Sequence, residues 1–299
     1  MRVTMSTIYN QITTDLNRLT DKINKTNESI SSGKIYSVPS DNPVALTQAL
    51  AIRNNISDTA QYKQNISYGQ SWVTATDTAM SQVQDALTQA KTLALQGAND
   101  TQSAASRQAI AAEVKTILED VVALGNTKIG DRYVFGGAKT TGYGTGQSPF
   151  VLQADNSVTY NGDQGGISIQ TASGLNQKIN IDGHTALVAG GVFDNLKSLY
   201  NGLMSNSQTD IETAASALDS SISYISGQSG VIGATANTLT NNSSMADSLT
   251  LIYQGNLSDI EDTDTVKAIA DLQTQETSYQ AALGAAAKVM SVSLADYLK

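Results

Sequence analysis

IYNQITTDLNRLTDKINKTNESISSG, residues 8–33, sets Ile8, Ile12, Leu16, Leu19, Ile23 and Ile30 into an otherwise polar stretch. Steps of three, four and seven put these side chains on one face of a helix. A helix with one greasy stripe must bury it against something. The other end of the chain repeats the pattern at Leu272, Tyr279, Leu283, Met290, Leu294 and Tyr297–Leu298. Two such stripes at opposite termini predict that the ends pack on each other or on neighbouring copies, which points to assembly rather than chemistry.

Composition supports this. The 299 residues contain only 5% aromatics, with a single Trp (Trp72) and three Phe, so a fat globular core is not expected. The formal charge is −9 and no Lys/Arg cluster is visible, which disfavours nucleic acid and anionic membrane as partners. Cysteine is absent, excluding disulfides, thiol catalysis and zinc–thiolate sites. One histidine, His184, leaves little for His-based triads or metal shells. The opening residues have no apolar signal-peptide core, and no run of about 18 apolar residues occurs. Taken alone this reads as cytosolic, though compatible with a secretion route that reads a polar, uncleaved N-terminus.

Working outward from residue 33, Gly33 stands where a residue closing the first helix is expected. Pro39 and Pro43 flank Ser40-Asp41-Asn42. The residues before the prolines are pushed out of helical geometry, and Asp41 or Asn42 can cap a new helix with Pro43 in its first turn. From Val44 to about Gln96 there is no proline and one interior glycine, Gly69. Such a helix would reach roughly 80 Å, and its apolar phase slips near Tyr62–Gln70. A shorter helix capped by Ser103 carries Ile110, Val114, Ile117, Leu118 and Val121 and closes near Gly125–Gly130.

Residues 136–202 hold 13 of the 23 glycines, and the apolar period falls to two. Val158-Thr159-Tyr160 and Ile167-Ser168-Ile169 flank Asn161-Gly162, which predicts a hairpin. Asp182-Gly183 predicts another turn, and Val192, Phe193, Leu196, Leu199 and Leu203 a short helix. From about Asp210 a second long helix begins. Its positions 218, 222, 225, 229, 232, 236, 239, 243, 246, 250, 253, 257 and 260 alternate steps of four and three, and ten of the thirteen are apolar. That is a sustained coiled-coil seam. The acidic knot of Asp259, Glu261, Asp262 and Asp264 marks a joint before the C-terminal helix.

The expected fold is mainly α with a β-rich insert: a long coiled-coil-like bundle made from both termini, with a small β domain inserted mid-chain at its far tip. The expected parts are an N-terminal tail (1–38), half a shaft (39–135), the insert (136–205), the second half of the shaft (206–263) and a C-terminal tail (264–299).

No catalytic constellation emerges, and no cofactor is expected. Gly142-Tyr143-Gly144-Thr145-Gly146 lacks the strand-then-helix setting of a phosphate loop and reads as a turn. The acidic knot lacks the spacing of a calcium loop and reads as helix capping. His184 reads as an exposed loop residue. Asn65-Ile66-Ser67 and Asn256-Leu257-Ser258 are chance triplets in a chain rich in Asn and Ser. Ordering a tail of about 30 residues costs more backbone entropy than six buried side chains return, so firm order in the tails is expected only among neighbouring subunits.

Several pieces now combine. They are Met1-Arg2-Val3-Thr4, Ile30-Ser31-Ser32-Gly33-Lys34, Pro39-Ser40-Asp41-Asn42-Pro43-Val44-Ala45 and Asn126-Thr127-Lys128. Further on come Gly130-Asp131-Arg132-Tyr133-Val134-Phe135-Gly136-Gly137, Val158-Thr159-Tyr160-Asn161-Gly162-Asp163, Tyr279-Gln280-Ala281-Ala282-Leu283 and Ser293-Leu294-Ala295-Asp296-Tyr297-Leu298. In this order the chain resembles the flagellin superfamily of bacterial flagellar axial proteins. The Pro-Ser-Asp-Asn-Pro and Tyr-Val-Phe-Gly-Gly pieces resemble its hook–filament junction members more than flagellin.

The resemblance implies a non-enzymatic adaptor, a ring of copies between hook-associated protein 1 and flagellin at the extracellular hook–filament junction. It implies export by the flagellar type III system, with a cytoplasmic chaperone on the C-terminal tail. The tails would form an inner tube, the assembly interface being Ile8, Ile12, Leu16, Leu19, Ile23, Ile30, Leu272, Tyr279, Leu283, Met290, Leu294 and Tyr297. A minor flagellin of the filament is the nearest alternative. A surface- or sugar-binding module in the insert, using Tyr133, Phe135, Tyr143, Phe150 and Tyr160, is the second.

Overall fold

The computed structural model describes residues 5–36, 38, 40–144 and 147–297, with side chains from Thr7 to Lys288. In chain order the helices are α1 (Met5–Ser32), α2 (Pro43–Gly97), α3 (Ala104–Gly125), α4 (Val192–Met204), α5 (Gln208–Glu261) and α6 (Thr265–Tyr297). Between α3 and α4 lie strands β1 (Lys128–Ile129), β2 (Arg132–Tyr133), β3 (Phe150–Leu152), β4 (Val158–Tyr160), β5 (Ser168–Ala172) and β6 (Leu175–Lys178). The chain divides into two compact units: residues 1–58 with 249–299, and residues 59–248.

The caps explain the helix limits. Gly33 takes φ +72°, the left-handed geometry that closes α1, and its N–H donates to Ser29 O at 2.9 Å. Asn42 Oδ1 accepts from Ala45 N at 3.1 Å, making Asn42 the cap of α2, with Pro43 its first helical residue. Ser103 Oγ likewise accepts from Ser106 N at 3.1 Å at the start of α3.

In the larger unit (59–248), α2, α3, α4 and α5 share one core with the strand segment. Trp72, Met80 and Leu87 of α2, Leu118 of α3, Leu196 and Leu199 of α4 and Leu218 of α5 are all under 2% exposed. Val134, Phe135, Phe150, Ile179 and Ile181 join the same core, so residues 136–205 do not bury a core of their own. The α5 seam is as expected, every one of its thirteen positions being buried or half-buried.

The phase slip in α2 is real. Its inward positions run 45, 49, 52, 56, 59, 63, 66, 69, 73, 76 and 80, with two successive steps of three ending at Gly69. There a Cβ would stand 2.6 Å from Ile169 Cδ1 and 3.1 Å from Ile179 Cγ2. Asn65 Nδ2 also donates to Gln170 O at 3.0 Å. The missing side chain makes room for β5 and the segment after β6 against the helix.

The strands form three separate antiparallel hairpins, and here the hairpin reading is overturned. β4 pairs with β3 (Phe150↔Tyr160, Leu152↔Val158), not with β5, and β5 pairs with β6 around Ser173-Gly174. The turn of the first pair is Asp155-Asn156, with Asn156 at φ +60°. Asn161-Gly162 instead wraps the chain around Tyr160, whose hydroxyl lies 2.8 Å from Phe135 O and 2.9 Å from Asp163 O. The Tyr160 ring packs on Phe150 at 5.0 Å between centroids. His184 also departs from expectation. It is half-buried and opens a π-helical turn, His184–Val188, whose start is held by Asp182 Oδ1 accepting from Thr185 N at 2.8 Å.

Candidate assembly surface

In the smaller unit (1–58 with 249–299), α1 and α6 pack antiparallel, Thr26 Oγ1 donating to Gln275 Oε1 at 3.1 Å. Ile8, Ile12, Leu16, Leu19, Ile23 and Ile30 of α1 are all half-buried along this seam. The facing stripe of α6 is Ala268, Leu272, Gln275, Tyr279, Ala282 and Ala286, in steps of four and three. Alanine at 268, 282 and 286 alternates with the larger Leu272, Gln275 and Tyr279 along this stripe.

Leu283 corrects the expected stripe. It is 44% exposed, and Ala282 holds the inward place after Tyr279. Leu283 instead shares an outward face with Ile269, fourteen residues and thus two heptads earlier. Met290, Leu294 and Tyr297 fall where side chains lie outside the description, and Pro39 lies outside the described residues. Of sixteen large apolar side chains exposed among the described residues, ten belong to this unit, among them Val44, Leu251, Val266 and Ile269.

A clasp absent from the sequence reading joins the two helix breaks. Ile35 N donates to Glu261 O at 2.7 Å and Thr263 N to Gly33 O at 2.8 Å, a short antiparallel bridge between Lys34 and Asp262. The Glu261 carboxylate, only 7% exposed, sits between Lys34 Nζ and Arg53, whose NH2 is 2.6 Å away. Burial pushes this carboxyl's pKa up. Hydrogen bonds from Lys34 and Arg53, with their charges, outweigh burial and hold it below the ordinary value. The acidic knot is thereby dispersed. Asp262 accepts from Ser258 Oγ at 2.6 Å, and Asp264 Oδ1 caps α6 through Lys267 N at 3.0 Å. Among the described residues no group of three acidic or histidine side chains could hold a metal ion. Asp41 extends the clasp region, its carboxylate accepting from Lys25 Nζ at 3.4 Å.

A third cation was also missed. Arg107, 6% exposed in the larger unit, donates through Nε to Gly97 O at 2.7 Å and through NH1 to Asn206 Oδ1 at 2.6 Å. It holds the end of α2 to the turn before α5. Nothing local in sequence marks Arg107, Lys34 or Arg53, because their partners lie 10, 227 and 208 residues away.

The aromatic residues of the strand segment pack on one another and into the core. Phe135 and Phe150 are buried, and Phe150 packs on Phe193 at 5.2 Å as well as on Tyr160. Tyr143 meets Tyr133 edge-on at 5.2 Å, and burial, aided by the charge of Asp163, pushes its hydroxyl up to about 12. No helix among the described residues is long and apolar enough to cross a membrane.

Residues 3–140 match the bacterial flagellin N-terminal helical region. Flagellar hook-associated protein 3 of Escherichia coli (strain K12) is 25% identical over 315 residues, covering 98% of both chains. Its namesake from Salmonella typhimurium is 27% identical over 169 residues, covering 53% of each. In fold, the chain is similar to a flagellar hook-associated protein from Vibrio parahaemolyticus (TM-score 0.67, 20% identity, 74% of this chain and 100% of that one). It is also similar to Bacillus cereus FlgL (TM-score 0.60, 23% identity, 70% and 99%). These relatives are structural flagellar proteins, not enzymes. Over 98% of its length the chain is similar to flagellar hook-associated protein 3, and it shares the fold of solved flagellar hook-associated proteins.

Proposed function

We propose that this structural protein is the adaptor of the hook–filament junction, a ring of copies seated on hook-associated protein 1 and templating flagellin. Export through the flagellar type III system, chaperoned at the C-terminal tail, fits the same reading. So does a division of labour in which the tails 1–38 and 264–299 build an inner tube and residues 39–263 stand outside it. One observation carries the proposal. The seam of α1 and α6 leaves Ile8 through Ile30 only half-covered, while Leu283, Ile269 and Val266 face outward. Apolar side chains left in this state in a separate chain are covered when copies or partners stack on them.

Deletion of the gene tests this. Hooks without filaments, and flagellin shed into the medium, are the expected outcome. Intact filaments and normal swimming would remove the adaptor role and leave a redundant filament subunit.

A further inference from the structure

Asparagine precedes Gly or Ser at Asn156-Ser157, Asn161-Gly162, Asn201-Gly202, Asn206-Ser207 and Asn242-Ser243. A small following residue lets its amide nitrogen approach the asparagine side chain, which is the route to spontaneous deamidation. What decides between the five is whether that nitrogen is free. Ser157 N donates to Asp155 Oδ1 at 3.1 Å and Ser207 N to Gly202 O at 3.0 Å. Gly202 lies within α4 and Ser243 within α5, their amides spent on the helix ladder. Gly162 N donates to no group among the described residues, and Asn161 is exposed. The Asn161 carboxamide is held only by one long bond, Nδ2 to Ser148 O at 3.4 Å. Glycine is required at 162 because a Cβ there would run into the ring of Tyr160. Packing therefore imposes the susceptible pair.

We infer that Asn161-Gly162 is a spontaneous deamidation and isomerisation site of the folded protein. The Gly162 amide nitrogen, its proton passing to solvent, attacks Asn161 Cγ. The new N–Cγ bond closes a succinimide, the Cγ–Nδ2 bond breaks, and ammonia leaves with a proton from water. Water then opens the ring. Attack at Cγ restores the main chain with aspartate. Attack at the Asn161 carbonyl carbon routes the main chain through the side chain as isoaspartate, one atom longer. Either product adds a negative charge near Asp163. The longer chain strains the link between Asn161 N and Pro149 O, now 2.7 Å.

The test incubates the full chain in mildly alkaline buffer, then maps peptides by mass and separates aspartate from isoaspartate chromatographically. Position 161 is expected to convert ahead of positions 156, 201, 206 and 242 by at least about tenfold, since those sites must first open locally. In denaturant, Asn201-Gly202 should draw level with Asn161-Gly162, because the two dipeptides are then chemically alike. If any of the four converts in the folded chain as fast as Asn161, or Asn161 waits for denaturant, the inference is overturned.

Discussion

The two units bury different things. The larger one encloses Trp72, Phe135 and Phe150, each at most 1% exposed, together with twenty Ile, Leu and Val side chains from four helices. Among the described residues of the smaller one, the buried apolar side chains are three alanines, Ala49, Ala268 and Ala286. Its described isoleucines and leucines are half-covered or exposed. At about 25 cal/mol per Å² of apolar area, an alanine core returns little against the entropy of two long helices. The larger unit closes on itself, whereas the described part of the smaller one leaves its large apolar side chains half-covered or exposed, as the proposed assembly requires.

Breaking the larger core should give the greatest effect. Phe150→Ala is expected to cost about 3–5 kcal/mol, the usual range for an aromatic truncated inside a packed core. Trp72, the single tryptophan, is buried in the same unit and reports its unfolding by fluorescence. A shift in denaturant midpoint equivalent to less than about 1 kcal/mol would show that this core is loosely filled.

In the smaller unit, Ile23→Asp and Leu283→Asp separate two kinds of contact. Ile23 lies in the seam, so a carboxylate there should open the α1–α6 pair. Amide exchange would then speed up across 265–288 while Trp72 fluorescence stays unchanged. Leu283 faces outward, so Leu283→Asp should leave that exchange as it is. Both should abolish junction assembly and swimming if copies stack on the outer face. Swimming retained by Leu283→Asp alone would confine the assembly surface to other residues.

The contrast also explains what could be read in advance. The seams of α2 and α5, the slip near Gly69 and the helix limits at Gly33, Asn42 and Ser103 follow from apolar period and turn chemistry, which are local. Leu283 was misplaced because Ala282 and Leu283 both fit a step after Tyr279, and hydrophobicity favours the larger. The decision belonged to the phase of the seam, which steps from Tyr279 to Ala282 and on to Ala286 and so leaves Leu283 outside. The β3–β4 pairing was hidden for a similar reason. Asn126, 24 residues away, binds Phe150 from both sides, Nδ2 to O at 2.8 Å and Oδ1 to N at 3.0 Å. Glu261 was legible only as one acid among four.

Acid should loosen the smaller unit first. The Glu261 pKa in the folded chain lies below its ordinary 4.5. Its contribution is therefore present above pH 4.5 and fades as pH falls through the lower folded value. Glu261→Gln should remove that dependence. It should also cost about 1–3 kcal/mol of local stability, the range for a buried polar group losing its partner. Exchange of the Ile35 and Thr263 amides, followed from neutral pH downward, reads both effects. An unchanged acid profile in the glutamine variant would mean that another group carries the dependence.

The smallest change compares the units most directly, because one helix cap can be removed in each, with Asn42 also giving up a bond from Nδ2 to the Tyr36 hydroxyl at 3.2 Å. Asn42→Ala and Ser103→Ala each delete one cap accepting a backbone N–H at 3.1 Å. Each should cost about 1 kcal/mol. In the larger unit that loss is shared by a cooperative core, so Ser103→Ala should lower its melting midpoint by about 2–4 °C. Asn42 starts a stretch of α2 that belongs to the smaller unit, whose buried apolar side chains among the described residues are alanines. Asn42→Ala should therefore leave the Trp72-detected melt in place and raise amide exchange only in the first turns of α2. Equal shifts in that melt from both substitutions would mean that the units unfold together, and that the alanine seam is stiffer than its burial suggests.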